Sequence, residues 1–127
     1  MSLESLATRF VEMCNQGKFF DVMESMYAPD IVSVEADGRE VAGKRPVIQK
    51  SRDWQAANQI AGGQVRGPFF ADAAGAGDGA SGQFACFFSG DVTPKATGRP
   101  VTLEEVGVYT VQDEQITREQ FYYAGKR

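Results

Sequence analysis

The sequence predicts an α+β domain in which three N-terminal helices pack on one face of a long antiparallel sheet. Two observations predict it. Apolar residues recur at helical spacing through most of the N-terminal half, whereas from Gln64 onward they alternate with polar residues. No internal repeat or linker divides the 127 residues, so we expect a single domain over residues 1–127.

The first two helices follow each other closely. An apolar stripe begins at residue 3, Ser2 is placed to cap it, and Gly17 lies just past its end. A second stripe runs from Phe19 to Tyr27. Pro29 stops it, because a residue ahead of proline disfavours the helical region.

A hairpin and a third helix complete the N-terminal half. Residues 30–35 predict a strand, Asp37-Gly38 a turn, and residues 40–42 the returning strand. Pro46 suits the first turn of the third helix, which we expect Gly62-Gly63 to close.

Four further strands are predicted over residues 64–71, 83–90, 100–111 and 115–123. Short connections between them imply antiparallel pairing. Pro68 indicates that its strand lies at a sheet edge or contains a bulge.

Composition excludes several classes of function. The chain has 13 Lys and Arg against 17 Asp and Glu, a net charge of −4, and no basic segment, which argues against a nucleic-acid partner. No apolar run is long enough to span a membrane. With no signal sequence and only Cys14 and Cys86, which we interpret as buried apolar residues, we expect a cytoplasmic protein.

The chain has no histidine. This removes Ser-His and Cys-His nucleophiles, His-ligated metals and the usual general base near neutral pH. The sequence predicts neither a metal site nor a cofactor. Residues 77–82 match G-x-G-x-x-G, but a strand and not a helix follows them, so we interpret them as a flexible loop.

Glu105 is the leading catalytic candidate. It shares an apolar row with the other odd positions of residues 101–111, while Glu104 lies on the opposite face. Burial raises the pKa of a carboxyl group, which can then exchange protons near neutral pH. The alternative is a structural carboxylate that pairs with Arg118 or Arg66 or faces a dimer interface.

The last hairpin decides which side chains accompany this acid. A two-residue turn at Asp113-Glu114 places Glu105 opposite Tyr122. Tyr109, Gln120 and Tyr122 would then face the interior as hydrogen-bond donors to a ligand. A longer turn would direct the alternate set inward, which consists of Glu119, Phe121 and Tyr123.

Two more residues are site candidates. Glu35 ends the first strand, where the alternation does not fix its direction, and the alternative is a solvated strand end. Trp54 on the third helix is a candidate pocket wall, and the alternative is a core aromatic residue.

The order of elements resembles the nuclear transport factor 2-like superfamily, also called cystatin-like, and within it the SnoaL-like branch. The resemblance covers essentially the whole chain and rests on fold motifs. These are FVE to GKF at 10–19, MYAPDIVSVE at 26–35, GK at 43–44, GPF at 67–69, DVT at 91–93, and EVGVYTV to REQFYY at 105–123.

This resemblance implies a cone, in which a strongly bent sheet wraps around three helices and a pocket opens at one end. It also implies a homodimer through the outer sheet face. The superfamily contains ketosteroid isomerases, polyketide cyclases, dehydratases, epoxide hydrolases and non-catalytic binding modules. The fold therefore does not select the chemistry.

Compared with the isomerases, Glu35 falls at the position of the general base. Phe10 stands at the position of the oxyanion tyrosine and Gly107 at that of the oxyanion aspartate, which argues against a steroid-type isomerase. Related SnoaL-like sequences often carry a histidine at the end of the third helix, and this chain has none.

Two functional hypotheses follow. In the first, the pocket binds a small apolar or cyclic molecule, and Glu105 or Glu35 moves a proton in an isomerase, cyclase or hydratase reaction. In the second, the domain is a non-catalytic ligand-binding module or a dimeric protein-interaction scaffold.

Overall fold

The computed structural model describes residues 1–71 and 81–123 and confirms the predicted α+β fold. Its elements in chain order are α1 (Leu3–Asn15), α2 (Phe19–Met26), β1 (Tyr27–Val34), β2 (Glu40–Ala42), α3 (Lys44–Ala57), β3 (Asn58–Phe69), β4 (Gly82–Pro94), β5 (Val101–Gln112) and β6 (Gln115–Tyr123).

The six strands form one sheet in the order β2-β1-β6-β5-β4-β3. Neighbours are antiparallel, except that β1 runs parallel to β6. The helices cover one side, which we call the interior face, where α1 contacts β3 and β4, and α3 contacts β1. Buried apolar side chains from both layers form the core, including Leu6, Phe10, Val22, Val47, Phe84, Val111 and Ile116.

The first helix forms as predicted. Ser2 caps it by accepting a hydrogen bond from the backbone N–H of Ser5, and Gly17 follows it with a positive φ of 78°. The second helix is shorter than predicted, because Tyr27 already has extended angles and begins β1. The preference for extended backbone ahead of Pro29 thus reaches two residues back.

The third helix ends at Ala57, so the prediction that it continues to Gly62-Gly63 is wrong. Asn58 adopts extended angles, and its side chain donates a hydrogen bond to the carbonyl of Trp54. The next residues pair with the end of β4, which lengthens both strands. As predicted for Pro68, β3 is an edge strand, and its register shifts near that residue.

The last hairpin has the predicted two-residue turn, since Asp113 and Glu114 have positive φ values of 50° and 68°. Beyond the turn, β6 contains one extra residue, Thr117, opposite the step between Thr110 and Val111. This β-bulge shifts the pairing of the rest of the strand by one residue.

The bulge makes the predicted pairing of Glu105 with Tyr122 wrong, because Glu105 faces Tyr123. The alternate set that includes Glu119 therefore faces the interior, although the turn is short. Gln120 and Tyr122 lie on the outer face of β6.

The glycine-rich motif at 77–82 lies largely outside the described residues. Gly82 begins β4, which confirms the strand predicted after the motif. Within the described ranges, no helix has the length and hydropathy needed to cross a bilayer.

Candidate functional site

Glu119 is a buried carboxylate on the interior face of β6, with 2% of its surface exposed. The parallel pairing of β1 and β6 sets Ser33 directly beside it. The Tyr27 hydroxyl donates to its Oε1, and the Ser33 hydroxyl donates to its Oε2 at 2.6 Å. Both oxygens of the carboxylate thus have a donor inside the protein.

Lys50 extends this arrangement towards solvent. Its Nζ lies 2.6 Å from Ser33 Oγ, 2.6 Å from Glu35 Oε1 and 3.9 Å from Glu119 Oε2. The side chains of Lys50 and Glu35 are 25% and 29% exposed. We call Tyr27, Ser33, Glu35, Lys50 and Glu119 the Glu119 cluster, which runs from the core to the surface.

The environment of Glu119 acts on its pKa in both directions. Burial raises the pKa above its ordinary value of 4.5, and the charge of Glu35 adds to this. The hydrogen bonds from Ser33 and Tyr27 and the charge of Lys50 oppose the increase. Burial, together with the nearby Glu119 charge, holds the pKa of Tyr27 well above 10. Tyr27 therefore keeps its proton and remains a hydrogen-bond donor. Glu119 is the member of the cluster suited to exchange a proton.

Tyr109 faces Glu119 across the β5–β6 pairing. Its hydroxyl is buried and has no hydrogen-bond partner among the described residues. A Cβ atom at Gly107 would lie 3.0 Å from that hydroxyl oxygen, so the glycine leaves room for the tyrosine ring. Three aromatic rings surround Tyr109, with centroid distances of 4.6, 5.1 and 6.4 Å, and they belong to Phe10, Phe84 and Phe121.

An unpartnered buried hydroxyl is costly, since desolvation is not offset by a hydrogen bond. Such a group among apolar rings is suited to donate to an oxygen atom of a bound molecule. Tyr109 was predicted as a ligand-binding residue, and its position next to Glu119 supplies a donor and a proton-exchanging acid side by side.

The two predicted catalytic acids lie in different places. Glu35 follows β1 and is paired with Lys50. Glu105 is half-buried on the interior row of β5, and Glu104 is exposed on the other face, which confirms the faces predicted for these two. A catalytic role for Glu35 or Glu105 stays a prediction.

Three predicted ligand-binding residues are not brought to this cluster. Trp54 on α3 is 43% exposed, and Tyr122 on the outer face of β6 is 48% exposed. Gln120, also on the outer face, accepts a hydrogen bond from Arg118 at 3.4 Å. The structure therefore does not place these three with Glu119 and Tyr109.

Sequence reasoning gave no functional role to Glu119, Tyr27, Ser33 or Lys50. The interior position of Glu119 had one signal, the alternate register of the last hairpin. Lys50 had none, because a lysine on an amphipathic helix usually marks the solvated side. Within residues 1–71 and 81–123, no three His, Cys, Asp or Glu side chains come together as metal ligands do.

Comparisons with known proteins agree with this architecture. A family model for the SnoaL-like domain matches residues 1–123. A proposed SnoaL-like polyketide cyclase from Mesorhizobium loti, also described as a carbohydrate phosphatase, is 41% identical. The match covers 97% of this chain and 100% of that one, with a TM-score of 0.85.

Two more distant structures share the fold. A proposed polyketide cyclase from Pseudomonas putida is 17% identical over 97% of this chain and 92% of its own, with a TM-score of 0.69. A nuclear transport factor 2-like protein of unknown function from Burkholderia pseudomallei is 18% identical over 97% and 92%, with a TM-score of 0.68. No curated protein sequence matches the chain. The matched domain and the Mesorhizobium relative show that the chain belongs to the SnoaL-like family.

Proposed function

We propose that the protein binds a small, largely apolar molecule carrying a carbonyl or enol oxygen, and that Glu119 exchanges a proton with it. The observation that carries the proposal is the buried Glu119 carboxylate beside the Tyr109 hydroxyl, which has no hydrogen-bond partner in the part of the chain that the structure describes. The two groups have complementary tasks in such a reaction.

The chemistry is enolisation. Tyr109 donates a hydrogen bond to the ligand oxygen, and Glu119 takes the proton from the carbon next to the carbonyl group. The electron pair of that C–H bond becomes the enolate, whose charge gathers on the oxygen that Tyr109 holds. Returning the proton to another carbon completes an isomerisation. In a cyclisation, the enolate carbon attacks a second carbonyl group of the same molecule, and the alkoxide formed there takes the proton from Glu119.

The apolar rings around Tyr109 favour a ligand with little charge of its own. Glu119, Tyr109 and Tyr27 are each at most 2% exposed, so the ligand must enter past half-buried neighbours. Phe121 is such a neighbour, since its ring lies beside Tyr109 and its centroid is 5.6 Å from Lys50 Nζ.

The relatives support the class of substrate. The Mesorhizobium and Pseudomonas proteins are both described as proposed polyketide cyclases, and polyketide rings close through enolate carbons. We extend this class, cyclic ketones and their enols, to the present chain.

The test is exchange of hydrogen for deuterium next to the carbonyl group of cyclic ketones and 1,3-diketones in heavy water, followed by NMR. We expect the wild-type protein to accelerate exchange for at least one of these ketones, and we expect Glu119→Gln to abolish this acceleration. Glu104→Gln is the matched control, because Glu104 is an exposed acid on the opposite face of β5. Exchange that persists in Glu119→Gln overturns the assignment.

The same assay compares the two acids predicted from sequence. If Glu35→Gln or Glu105→Gln removes exchange while Glu119→Gln does not, the base is that acid. A partial loss in Glu35→Gln fits an indirect role through Lys50.

A second candidate is binding without catalysis. It is favoured by the two hydrogen bonds that Glu119 already accepts, as a structural carboxylate does. Saturable ligand binding, detected by NMR shifts near Tyr109, without deuterium exchange would select it.

We also propose a homodimer through the outer sheet face. The exposed Tyr122 on that face supports the proposal. Light scattering should give a dimer mass, and Tyr122→Asp should shift it towards the monomer.

A further inference from the structure

We propose that Lys50 is a positioning residue that couples the two carboxylates of the Glu119 cluster, so that the charge on Glu35 controls how readily Glu119 releases a proton. Its importance for turnover rests on the proposed function, which gives proton exchange to Glu119. The coupling itself is a property of the ligand-free protein.

The geometry places one cation between two acids. Lys50 Nζ is 2.6 Å from Glu35 and 3.9 Å from Glu119, so the surface acid holds it more closely than the buried acid does. The helix that carries Lys50 is fixed on the sheet by Val47 and Ile48, which are 0% and 3% exposed. A shift of the ammonium group from one acid to the other therefore requires only its flexible side chain and no movement of the backbone.

Lys50 also orients Ser33. An ammonium group is only a donor, so Ser33 Oγ must accept the bond from Lys50. The serine proton then points elsewhere, and the acceptor in reach is Glu119 Oε2 at 2.6 Å. Lys50 thus stabilises the ionised form of Glu119 directly by its charge and indirectly through the hydroxyl.

The titratable and charged groups that act on Glu119 come from several elements. They are Tyr27 on β1, Glu35 after β1, Lys50 on α3 and Tyr109 on β5, while Cys14 on α1 acts on both tyrosines. Among these, Lys50 is the only cation that contacts the cluster within the described residues. Ionised Glu35 raises the proton affinity of Glu119 in two ways. It repels the Glu119 charge directly, and it holds Lys50 away from Glu119.

The test is a titration of the Glu119 carboxyl carbon by NMR in the ligand-free protein, with Glu119→Gln used to assign the signal. Lys50→Met should raise the pKa of Glu119 by about one pH unit, and Glu35→Gln should lower it. In the Lys50→Met background, the change that Glu35→Gln makes in the Glu119 pKa should shrink to about half or less. The part of this change that acts through the position of Lys50 needs the ammonium group.

Lys95→Met serves as the matched control, since it removes an exposed ammonium group that does not act on Glu119. It should leave the titration unchanged. If Lys50→Met does not fold, Lys50→Arg, which keeps the charge, and Glu35→Gln still test the coupling. Lys50→Arg should then reduce the effect of Glu35→Gln, because a planar guanidinium group cannot repeat the contacts of an ammonium group.

An unchanged Glu119 pKa in Lys50→Met, or an effect of Glu35→Gln that is equal with and without Lys50, overturns the coupling. Failure of the proposed function looks different. In that case the titrations behave as described, but Glu119→Gln leaves deuterium exchange intact.

Discussion

The hydroxyl of Tyr27 donates a hydrogen bond to Glu119, 92 positions later in the chain, and both side chains are almost completely buried. The bond joins β1 and β6, which are the first and last strands along the chain and lie side by side in the sheet as a parallel pair. A fully buried polar contact of this kind penalises other alignments of the two strands, which would leave the carboxylate without its donors.

Stability should depend on pH through Glu119. Its pKa in the folded protein lies above the ordinary value of 4.5. At pH values between 4.5 and the raised pKa, the folded protein therefore holds a proton that the unfolded chain has released. The contribution of Glu119 to the free energy of unfolding is therefore complete below pH 4.5 and is lost as pH rises through the raised pKa. Unfolding in urea at a series of pH values above 4.5 should show that the free energy of unfolding declines as pH rises.

The decline should be absent in Glu119→Gln and present in Glu104→Gln, whose acid is exposed. Equal pH dependence in wild type and Glu119→Gln would mean that Glu119 titrates normally in the folded state.

Removal of a hydroxyl group should have opposite effects at two buried tyrosines. Tyr109→Phe removes a donor that has no partner within residues 1–71 and 81–123, so it should raise the free energy of unfolding by about 1 kcal/mol. Tyr27→Phe takes a donor from the Glu119 carboxylate and should lower the free energy of unfolding by about 2 kcal/mol. Urea denaturation of the two variants checks the signs. Destabilisation by Tyr109→Phe would show that its hydroxyl has a partner in solution.

Gly107 should not tolerate even one methyl group. A Cβ atom there would lie 2.9 Å from the rings of Phe88 and Tyr109, so Gly107→Ala should cost about 1–3 kcal/mol through overpacking. Gly63→Ala on the edge strand β3 is the control, because its Cβ would meet only the exposed Ile60 at 3.4 Å. Thermal unfolding compares them, and equal stability of the two variants would contradict the packing at Gly107.

The two thiols should be unreactive in the native protein. Burial raises the pKa of Cys14 and of Cys86 to about 12, so neither forms the nucleophilic thiolate near neutral pH. A thiol reagent such as Ellman's should react slowly with the folded protein and with two equivalents in urea. Rapid native labelling of either cysteine would mean that the core opens locally.

Element types and strand faces could be predicted because they follow from local periodicity. The row that contains Glu105, and the exposure of its neighbour Glu104, depend only on alternation within one strand. The three helices and six strands of the described residues likewise have the predicted types and order, although α2 and α3 end earlier than predicted.

The composition of the site could not be predicted in the same way, because it depends on contacts between distant strands. Thr117 does not differ from its neighbours in any way that marks a bulge, yet it decides that Glu119 lies inside. Lys50 joins the site only because α3 crosses β1 near Ser33, and single-strand periodicity contains no information on such a crossing.

The bulge at Thr117 also has a consequence for how such domains diversify. If β6 had no bulge and Thr117 paired regularly with Thr110, the rest of the strand would be offset by one position, so that Gln120 and Tyr122 would enter the interior and Glu119 would leave it. The acid would be exchanged for an amide and a phenol without any substitution. The gain or loss of a bulge in the final strand, and not only replacements around Tyr109, is therefore a route by which related domains acquire or lose a reaction.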